Sequence, residues 1–261
     1  MSIIKGFKFN RSLGQNFILD EGFLENIVDE LNLSKDDVVV EIGTGAGTLT
    51  RVVAGRVKKI ITYETDRRLE PILFQQFKYL ENVDLRFEDG MKAKVETGTY
   101  VVVANIPYYI TTPLIWKFMA DPGCLRICIL VQDDVARRIV APHGGRGYGA
   151  LTVGIQTRAN CKIIKKVPRS VFVPVPSVDS AFVVIEKKKG IRIPDAFLKG
   201  IFASRRKTIL NALKMDKEIA RSVLKKVGID EWLRPEQISV DKFVELTTKL
   251  AEILHWNLIT N

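Results

Sequence analysis

Short runs of β-branched and other apolar residues alternate with amphipathic segments along most of the chain. The runs typical of buried strands lie at 37–43, 59–64, 83–89, 100–105 and 126–132. Between some of them, segments such as 23–31, 49–57 and 67–77 place apolar residues on one helical face. This alternation predicts a doubly wound α/β fold with a mostly parallel sheet. A later strand at 178–188 follows no helix, so we expect it to pair antiparallel.

The pattern changes at the charged segment "EKKKGIRIPD". Beyond it the apolar spacing is helical, over 195–214, 216–228 and 240–254. We therefore predict two domains. An α/β domain spans 1–188 and includes a motif at 9–20, and a small all-helical domain spans 189–261.

The net charge and its distribution along the chain suggest a class of binding partner. The 261 residues carry a net charge of +10, and the stretch from Val135 to Val178 holds eight basic residues and no acidic one. Such asymmetry favours a polyanionic partner, and nucleic acid before a membrane surface. No apolar run is long enough for a membrane-spanning helix.

The remaining composition excludes other classes of protein. The three cysteines are scattered and form no CxxC pair, and there are only two histidines. We expect neither a disulfide framework nor a metal site. The N-terminal residues lack the apolar core and cleavage site of a signal peptide, so we expect a cytosolic protein with no membrane association.

Three predicted strand ends carry residues suited to a nucleoside. Gly43, Gly45 and Gly47 in "EIGTGAGTLT" allow a tight turn that a ligand can approach closely. Glu64 ends the second strand about 20 residues after Gly43, where an acid can bind a ribose diol. Asp89 ends the third strand, where a carboxylate can accept from an adenine amine. No phosphate-binding signature is present, so S-adenosylmethionine fits better than NAD or ATP.

The fourth strand end carries "NIPYYITTP" at 105–113. An exocyclic amine needs acceptors for its hydrogens, and the Asn105 side chain and the Ile106 carbonyl can each accept one. Pro107 fixes the turn, and Tyr108 can stack on a flat base. These residues indicate transfer of a methyl group to a base by alignment and electrostatics.

Together with other segments, these motifs resemble the rRNA adenine dimethyltransferase family of KsgA type. The resemblance covers about Phe9 to Leu246. The remaining segments that carry it are "SLGQNFILD", "VQDDVARRIV", "VFVPVPSVDSAFV", "FASRRKTILNAL" and "RPEQISVDKFVEL". It implies a seven-stranded Rossmann-like methyltransferase sheet followed by a helical RNA-binding domain. It also implies dimethylation of two adjacent adenosines in the 3′-terminal hairpin loop of small-subunit rRNA during ribosome assembly.

The resemblance also assigns residues to roles. For S-adenosylmethionine they are Gln15, Asn16, Ile18, Gly43, Gly45, Glu64, Thr65, Asp89, Gly90 and Asn105. For catalysis on the target adenine they are Asn105, Ile106, Pro107, Tyr108 and Phe172, the last stacking on the second face of the base. For RNA they are Arg137, Arg138, Arg146, Lys165, Lys166, Arg205, Arg206 and Lys207. The implied partner is small-subunit rRNA within a pre-30S-type particle, bound by a monomer without metal.

Several alternatives stay open from the residues alone. Without the family, Phe172 is a buried aromatic, Gln15 and Asn16 begin a helix, and "SRRKT" is a solvated helix face. An Erm-type methyltransferase of large-subunit rRNA, a non-catalytic nucleic-acid-binding relative and a small-molecule methyltransferase are rival functions. An intact "NIPY" disfavours the second of these, and the basic stretch disfavours the third.

Overall fold

A computed structural model describes residues 6–10, 14–203, 206–254 and 259–260. Its strands are β1 (Phe17–Ile18), β2 (Val38–Ile42), β3 (Lys59–Tyr63), β4 (Val83–Arg86), β5 (Tyr100–Asn105), β6 (Cys124–Gln132), β7 (Ala159–Val167), β8 (Phe172–Val173), β9 (Ser180–Lys187), β10 (Ile191–Arg192) and β11 (Ile259–Thr260). Its helices are α1 (Glu21–Asp29), α2 (Thr48–Ala54), α3 (Glu70–Phe77), α4 (Thr111–Ala120), α5 (Asp133–Ile139), α6 (Ala150–Gln156), α7 (Asp195–Phe202), α8 (Ile209–Ala212), α9 (Lys217–Lys226) and α10 (Val240–Leu254).

A seven-stranded sheet in the order β4-β3-β2-β5-β6-β9-β7 forms the centre of the α/β region. The pairs from β4 through β6 are parallel, and β9 pairs antiparallel with β6. The predicted doubly wound, mostly parallel sheet is therefore confirmed, as is the antiparallel late strand. β7 is the strand that the periodicity did not identify, because it is only partly buried and carries three lysines.

The sheet packs against α1 and α2 through one large apolar cluster that includes Leu24, Val28 and Val53. Asp20 begins α1 as its N-cap, since its Oδ1 accepts a hydrogen bond from the Phe23 amide at 3.0 Å. β2 is almost entirely β-branched, as expected for a strand that is buried on both faces. These contacts hold the carboxyl ends of the parallel strands in place at one edge of the sheet.

Contacts divide the chain into two compact units. The first runs to Ala136 and resumes over Lys162–Glu186, and the second consists of Arg137–Cys161 and the residues from Lys187 onward. The predicted domain boundary after residue 188 lies two residues from the boundary between the units after Glu186. Arg137–Cys161, however, was predicted in the first domain and groups with the second unit. The segment groups with the second unit because Tyr148 packs edge-on against Phe202 and its hydroxyl donates to the Ile238 carbonyl at 2.8 Å.

The second unit is mainly helical among its described residues, apart from the start of β7, the end of β9 and the short pairing of β10 with β11. The predicted helices at 216–228 and 240–254 correspond to α9 and α10. The predicted segment 195–214 is instead two helices, α7 and α8, with residues 204–205 outside the described part. One apolar cluster joins these helices to α6, and Phe243, Leu246 and Leu250 of α10 are fully buried in it.

Candidate active site

A cavity of about 570 Å³ opens at the carboxyl ends of β2, β3 and β5. Its volume lies in the range of small-molecule and cofactor sites. It is lined by residues of five segments, 14–18, 41–49, 63–65, 88–91 and 105–110, together with Leu24. The parallel register places these strand ends side by side, so the structure brings together the predicted glycine loop, both predicted acids and the "NIPY" turn.

The glycine loop is shaped by left-handed backbone and close packing. Gly43 and Gly45 have φ angles of +82° and +58°. A Cβ on Gly45 would lie 3.1 Å from the ring of Phe17, so the motif around Phe17 covers the loop closely. A Cβ on Gly43 would lie 3.6 Å from the Asn105 carbonyl oxygen. The loop is therefore adjacent to both the N-terminal motif and the catalytic candidate.

Glu64 is held by backbone amides at the end of β3. Its Oε2 accepts from the Gly45 amide at 2.9 Å, and its Oε1 accepts from the amides of Thr65 and Asp66 at 2.7 and 2.8 Å. A carboxylate offers about four acceptor positions, so capacity remains for a ligand hydroxyl. Burial raises the pKa of Glu64, and the three amide hydrogen bonds oppose that shift. The side chain is 7% exposed and forms part of the cavity wall.

The other predicted nucleoside contacts also line the cavity. Asp89 accepts from the Met91 amide at 3.0 Å, and an ion pair of 3.6 Å joins it to Lys92. Gly90 is required sterically, because a Cβ there would lie 2.6 Å from Ile42 Cδ1. Thr65 is exposed at the same edge.

The N-terminal motif is anchored to the turn that follows Glu64. Gln15 donates to Asp66 Oδ2 at 2.7 Å and accepts from the Asn10 amide at 2.8 Å. Hydrogen bonds from Arg68 and Gln15 lower the pKa of Asp66, so the carboxylate stays ionised. Both polar groups of Gln15 are thus engaged within the protein while its side chain lines the cavity. Residues 11–13 of the motif lie outside the described part of the chain.

The predicted catalytic turn is fixed at two points. Asn105 Nδ2 donates to the Asn16 carbonyl at 3.2 Å, which leaves its Oδ1 as the acceptor end of the amide. The Tyr108 hydroxyl lies 2.7 Å from Ser180 Oγ, and burial raises the Tyr108 pKa, so the phenol stays neutral. Pro107 precedes a short 3₁₀ helix, Tyr108–Ile110. The turn is held rigidly beside the glycine loop.

Two residues of the site have no role in the sequence-based predictions. Ser180 restrains Tyr108 from 72 positions away, and no local pattern indicates that pairing.

Glu41 is an acidic residue within the otherwise apolar strand β2. This interruption is the sequence signal that could have identified Glu41 as a site residue. It is 1% exposed, accepts from the hydroxyls of Thr50 and Thr62 at 2.6 Å, and lines the cavity. Among the described residues, none donates to its Oε1.

Glu41 is expected to make stability depend on pH. Burial raises its pKa from 4.5 to about 8, so the folded protein keeps a proton that the unfolded chain has lost. The resulting stabilisation is complete below pH 4.5 and is lost as the pH rises to about 8, by on the order of 5 kcal/mol. Glu41→Gln should lose this dependence in urea unfolding at pH 5, 7 and 9. The exposed Glu25→Gln is the control, and parallel curves for wild type and Glu41→Gln would contradict the assignment.

Phe172 lies in a different environment from the one the resemblance implied. Its ring is 1% exposed and packs in the main apolar cluster, and its backbone pairs with Ile18. It does not line the cavity in this conformation. In this structure neighbouring core side chains cover the ring face that the resemblance assigned to a base, and a role of Phe172 against the base stays a prediction.

The predicted RNA-contacting residues lie mainly at the surface. Those that are exposed are Arg137, Arg138, Arg146, Lys166, Arg206 and Lys207. Lys165 is half-buried and pairs with Glu30 at 3.8 Å, so its charge is partly compensated. Arg205 lies outside the described residues.

Among the described residues, no group of three or more His, Cys, Asp or Glu side chains is arranged to hold a metal ion. None of the helices described has the length and apolar character of a membrane span.

Comparisons with known proteins agree on one family. The family model described as "Ribosomal RNA adenine dimethylase" matches residues 6–252. A curated relative from Alkaliphilus metalliredigens (strain QYMF), named "Ribosomal RNA small subunit methyltransferase A", is 38% identical over 266 residues. The match covers 94% of this chain and 93% of the relative.

Solved structures share the fold. A dimethyladenosine transferase from Plasmodium falciparum superposes with a TM-score of 0.79 at 24% identity, covering 89% of this chain and 96% of that one. The 23S rRNA methyltransferase ErmE superposes with a TM-score of 0.74 at 24% identity, covering 90% of this chain and 99% of that one. Because the two scores are close, the fold alone does not distinguish a likeness to the dimethyladenosine transferase from a likeness to the 23S rRNA methyltransferase.

Proposed function

The chain belongs to the ribosomal RNA adenine dimethylase family, and we propose that it transfers methyl groups from S-adenosylmethionine to two adjacent adenine amines of small-subunit rRNA. The observation that carries this proposal is the Asn105–Tyr108 turn. It lines the same cavity as Glu64 and the glycine loop, and both its amide and its phenol are restrained. A methyl donor and an acceptor base can therefore be held side by side.

The cavity residues fit the chemistry of S-adenosylmethionine. Glu64 has spare acceptor capacity for ribose hydroxyls, and Asp89 can accept from the adenine amine. Glycine at positions 45 and 90 lets Phe17 and Ile42 pack closely in the cavity wall. The glycine loop and Gln15, Asn16 and Ile18 would enclose the methionine end and the ribose.

Replacing Glu64 with glutamine is expected to weaken S-adenosylmethionine binding by about 1–3 kcal/mol, the scale of a charged hydrogen bond. The amide nitrogen of glutamine cannot accept from the Gly45 amide or from a ribose hydroxyl. Isothermal titration calorimetry measures the change, with the exposed Glu81→Gln as the matched control. Unchanged affinity in Glu64→Gln would remove this residue from the ribose site.

Catalysis follows from how the chain holds the target amine. S-adenosylmethionine supplies a methyl group that is already activated on a positively charged sulfur. The Asn105 Oδ1 and the Ile106 carbonyl each accept one amine hydrogen, which orients the nitrogen lone pair toward the methyl group. Tyr108 holds the base by stacking, with its ring restrained through Ser180. Such preorganised polar groups act most strongly as charge develops on the nitrogen.

Exposed basic residues of each unit can contact the RNA backbone. Arg137, Arg138 and Arg146 in one unit and Lys166 in the other can neutralise phosphates, and Arg206 and Lys207 extend this set. Lys165 would need to leave Glu30 before it could contribute fully. We further propose that the substrate is a pre-30S-type particle in the cytosol and that the enzyme acts on it as a monomer.

One experiment separates the candidate substrates. Small- and large-subunit particles from a strain without these methylations are incubated with the purified protein and radiolabelled S-adenosylmethionine. Nuclease digestion and mass spectrometry then identify the modified base. Dimethyladenosine in small-subunit rRNA is the expected result. Label in large-subunit rRNA would favour the Erm-type activity, and no label in either particle would favour a non-catalytic relative.

A further inference from the structure

Tyr109 presents a large aromatic ring at the rim of the cavity. Its side chain is 66% exposed, yet the residue lines the same cavity as Asn105 and Tyr108. Large exposed aromatic surface beside a binding cavity is a common mark of a recognition site. The catalytic assignments above give this ring no role.

The two adjacent tyrosines are held differently. Tyr108 is half-buried and tied to Ser180, whereas Tyr109 is exposed. Both lie in a 3₁₀ helix, in which successive side chains diverge by about 120°. The two side chains therefore leave the helix in different directions, so Tyr109 can face a second base.

The backbone of Gly14 lies near one edge of the Tyr109 ring. A Cβ on Gly14 would lie 3.5 Å from Tyr109 Cε1 and only 2.9 Å from Pro107 Cβ. Gly14 also has a φ of +62°, which disfavours other residues. The ring thus lies near a residue without a side chain and is largely exposed, so a base can approach it.

A second exposed apolar segment, 173–179, is joined at both ends to residues near the cavity. The segment 173–179 begins where Val173 pairs with the cavity residue Phe17 and ends next to Ser180, which contacts Tyr108. Within it, Val173, Val175 and Val178 are 41%, 61% and 40% exposed. Apolar surface at this position suits the uncharged faces of bases rather than the phosphate backbone.

We propose that Tyr109 stacks on the base adjacent to the adenine that occupies the cavity. The inference rests on the proposed function, in which two neighbouring adenines are modified. One adenine is held inside against Tyr108 while its neighbour is held at the rim, so the RNA remains bound as the two bases exchange places. Single-stranded RNA is commonly held by such successive aromatic stacking.

The test compares Tyr109→Ala, Tyr109→Phe and, as a matched exposed tyrosine, Tyr79→Ala, which removes a side chain that is 84% exposed. Steady-state and single-turnover methylation of unmodified small-subunit particles are measured, together with S-adenosylmethionine affinity and thermal stability. Tyr109→Ala should raise the KM for particles roughly tenfold, the effect of losing one stacked base. Its cofactor affinity and melting temperature should be unchanged. Tyr109→Phe and Tyr79→Ala should resemble wild type.

Each other outcome has a distinct meaning. An active wild type with an unchanged KM in Tyr109→Ala would overturn this inference and leave the proposed function intact. Weaker S-adenosylmethionine binding in Tyr109→Ala would assign the ring to the cofactor and would also overturn it. A wild-type protein that methylates no small-subunit particle would overturn both the proposed function and the inference.

Discussion

Asn105→Ala is expected to slow methyl transfer by about 10²–10³, comparable to the loss of one preorganised polar group in other active sites. Asn105 Nδ2 is engaged by the Asn16 carbonyl, which leaves Oδ1 as the acceptor for the target amine. The variant loses an interaction that strengthens as charge develops on the nitrogen. Single-turnover methylation of small-subunit particles, with mass spectrometry of the digested rRNA, measures the effect.

The products should report which transfer step depends on Asn105. After the first methyl group is added, only one amine hydrogen remains to be held. Residual product should be enriched in monomethyladenosine if the second transfer depends on Asn105 more than the first. S-adenosylmethionine affinity should change little. Asn26→Ala is the control, because that amide also donates to a backbone carbonyl, that of Gly22 at 2.7 Å, but on an exposed helix face. Near-normal dimethyladenosine from Asn105→Ala would remove the residue from catalysis.

Phe172→Ala is expected to lower the free energy of unfolding by about 3–5 kcal/mol. The ring is 1% exposed within the main apolar cluster, and its loss leaves a cavity beneath β1 and β8. Urea unfolding followed by circular dichroism measures the change. Phe74→Ala, which removes a ring that is 59% exposed, should cost far less and is the matched control.

Phe172→Leu separates packing from a role against the base. Leucine fills much of the site, so this variant should fold, and its methylation rate should stay close to that of wild type. If Phe172→Leu is stable but loses the second methylation, the ring reaches the base in the RNA complex after all. A stability of Phe172→Ala equal to that of wild type would show that the ring is not part of the core.

Local sequence pattern determined most of the α/β architecture and identified several of the segments that line the cavity. β2, β3 and β5 are identifiable because strands buried on both faces leave almost no polar positions. The glycine loop and Glu64 could be paired because one strand–helix–strand crossover separates them, and its length is nearly constant. β7 was not predicted, because a partly exposed edge strand that carries lysines has no strong apolar run. Glu41 stood out only as an acid inside β2.

Tertiary structure alone decided how the site is held together. The Asn105–Asn16 and Tyr108–Ser180 hydrogen bonds join residues 89 and 72 positions apart, and Gln15 meets Asp66 across 51. Hydropathy periods describe neighbours within one element, so they carry no information about such partners. The burial of Phe172 and the grouping of Arg137–Cys161 with the second unit arise in the same way. Each depends on which distant apolar surfaces meet, and that is fixed only when the whole core packs.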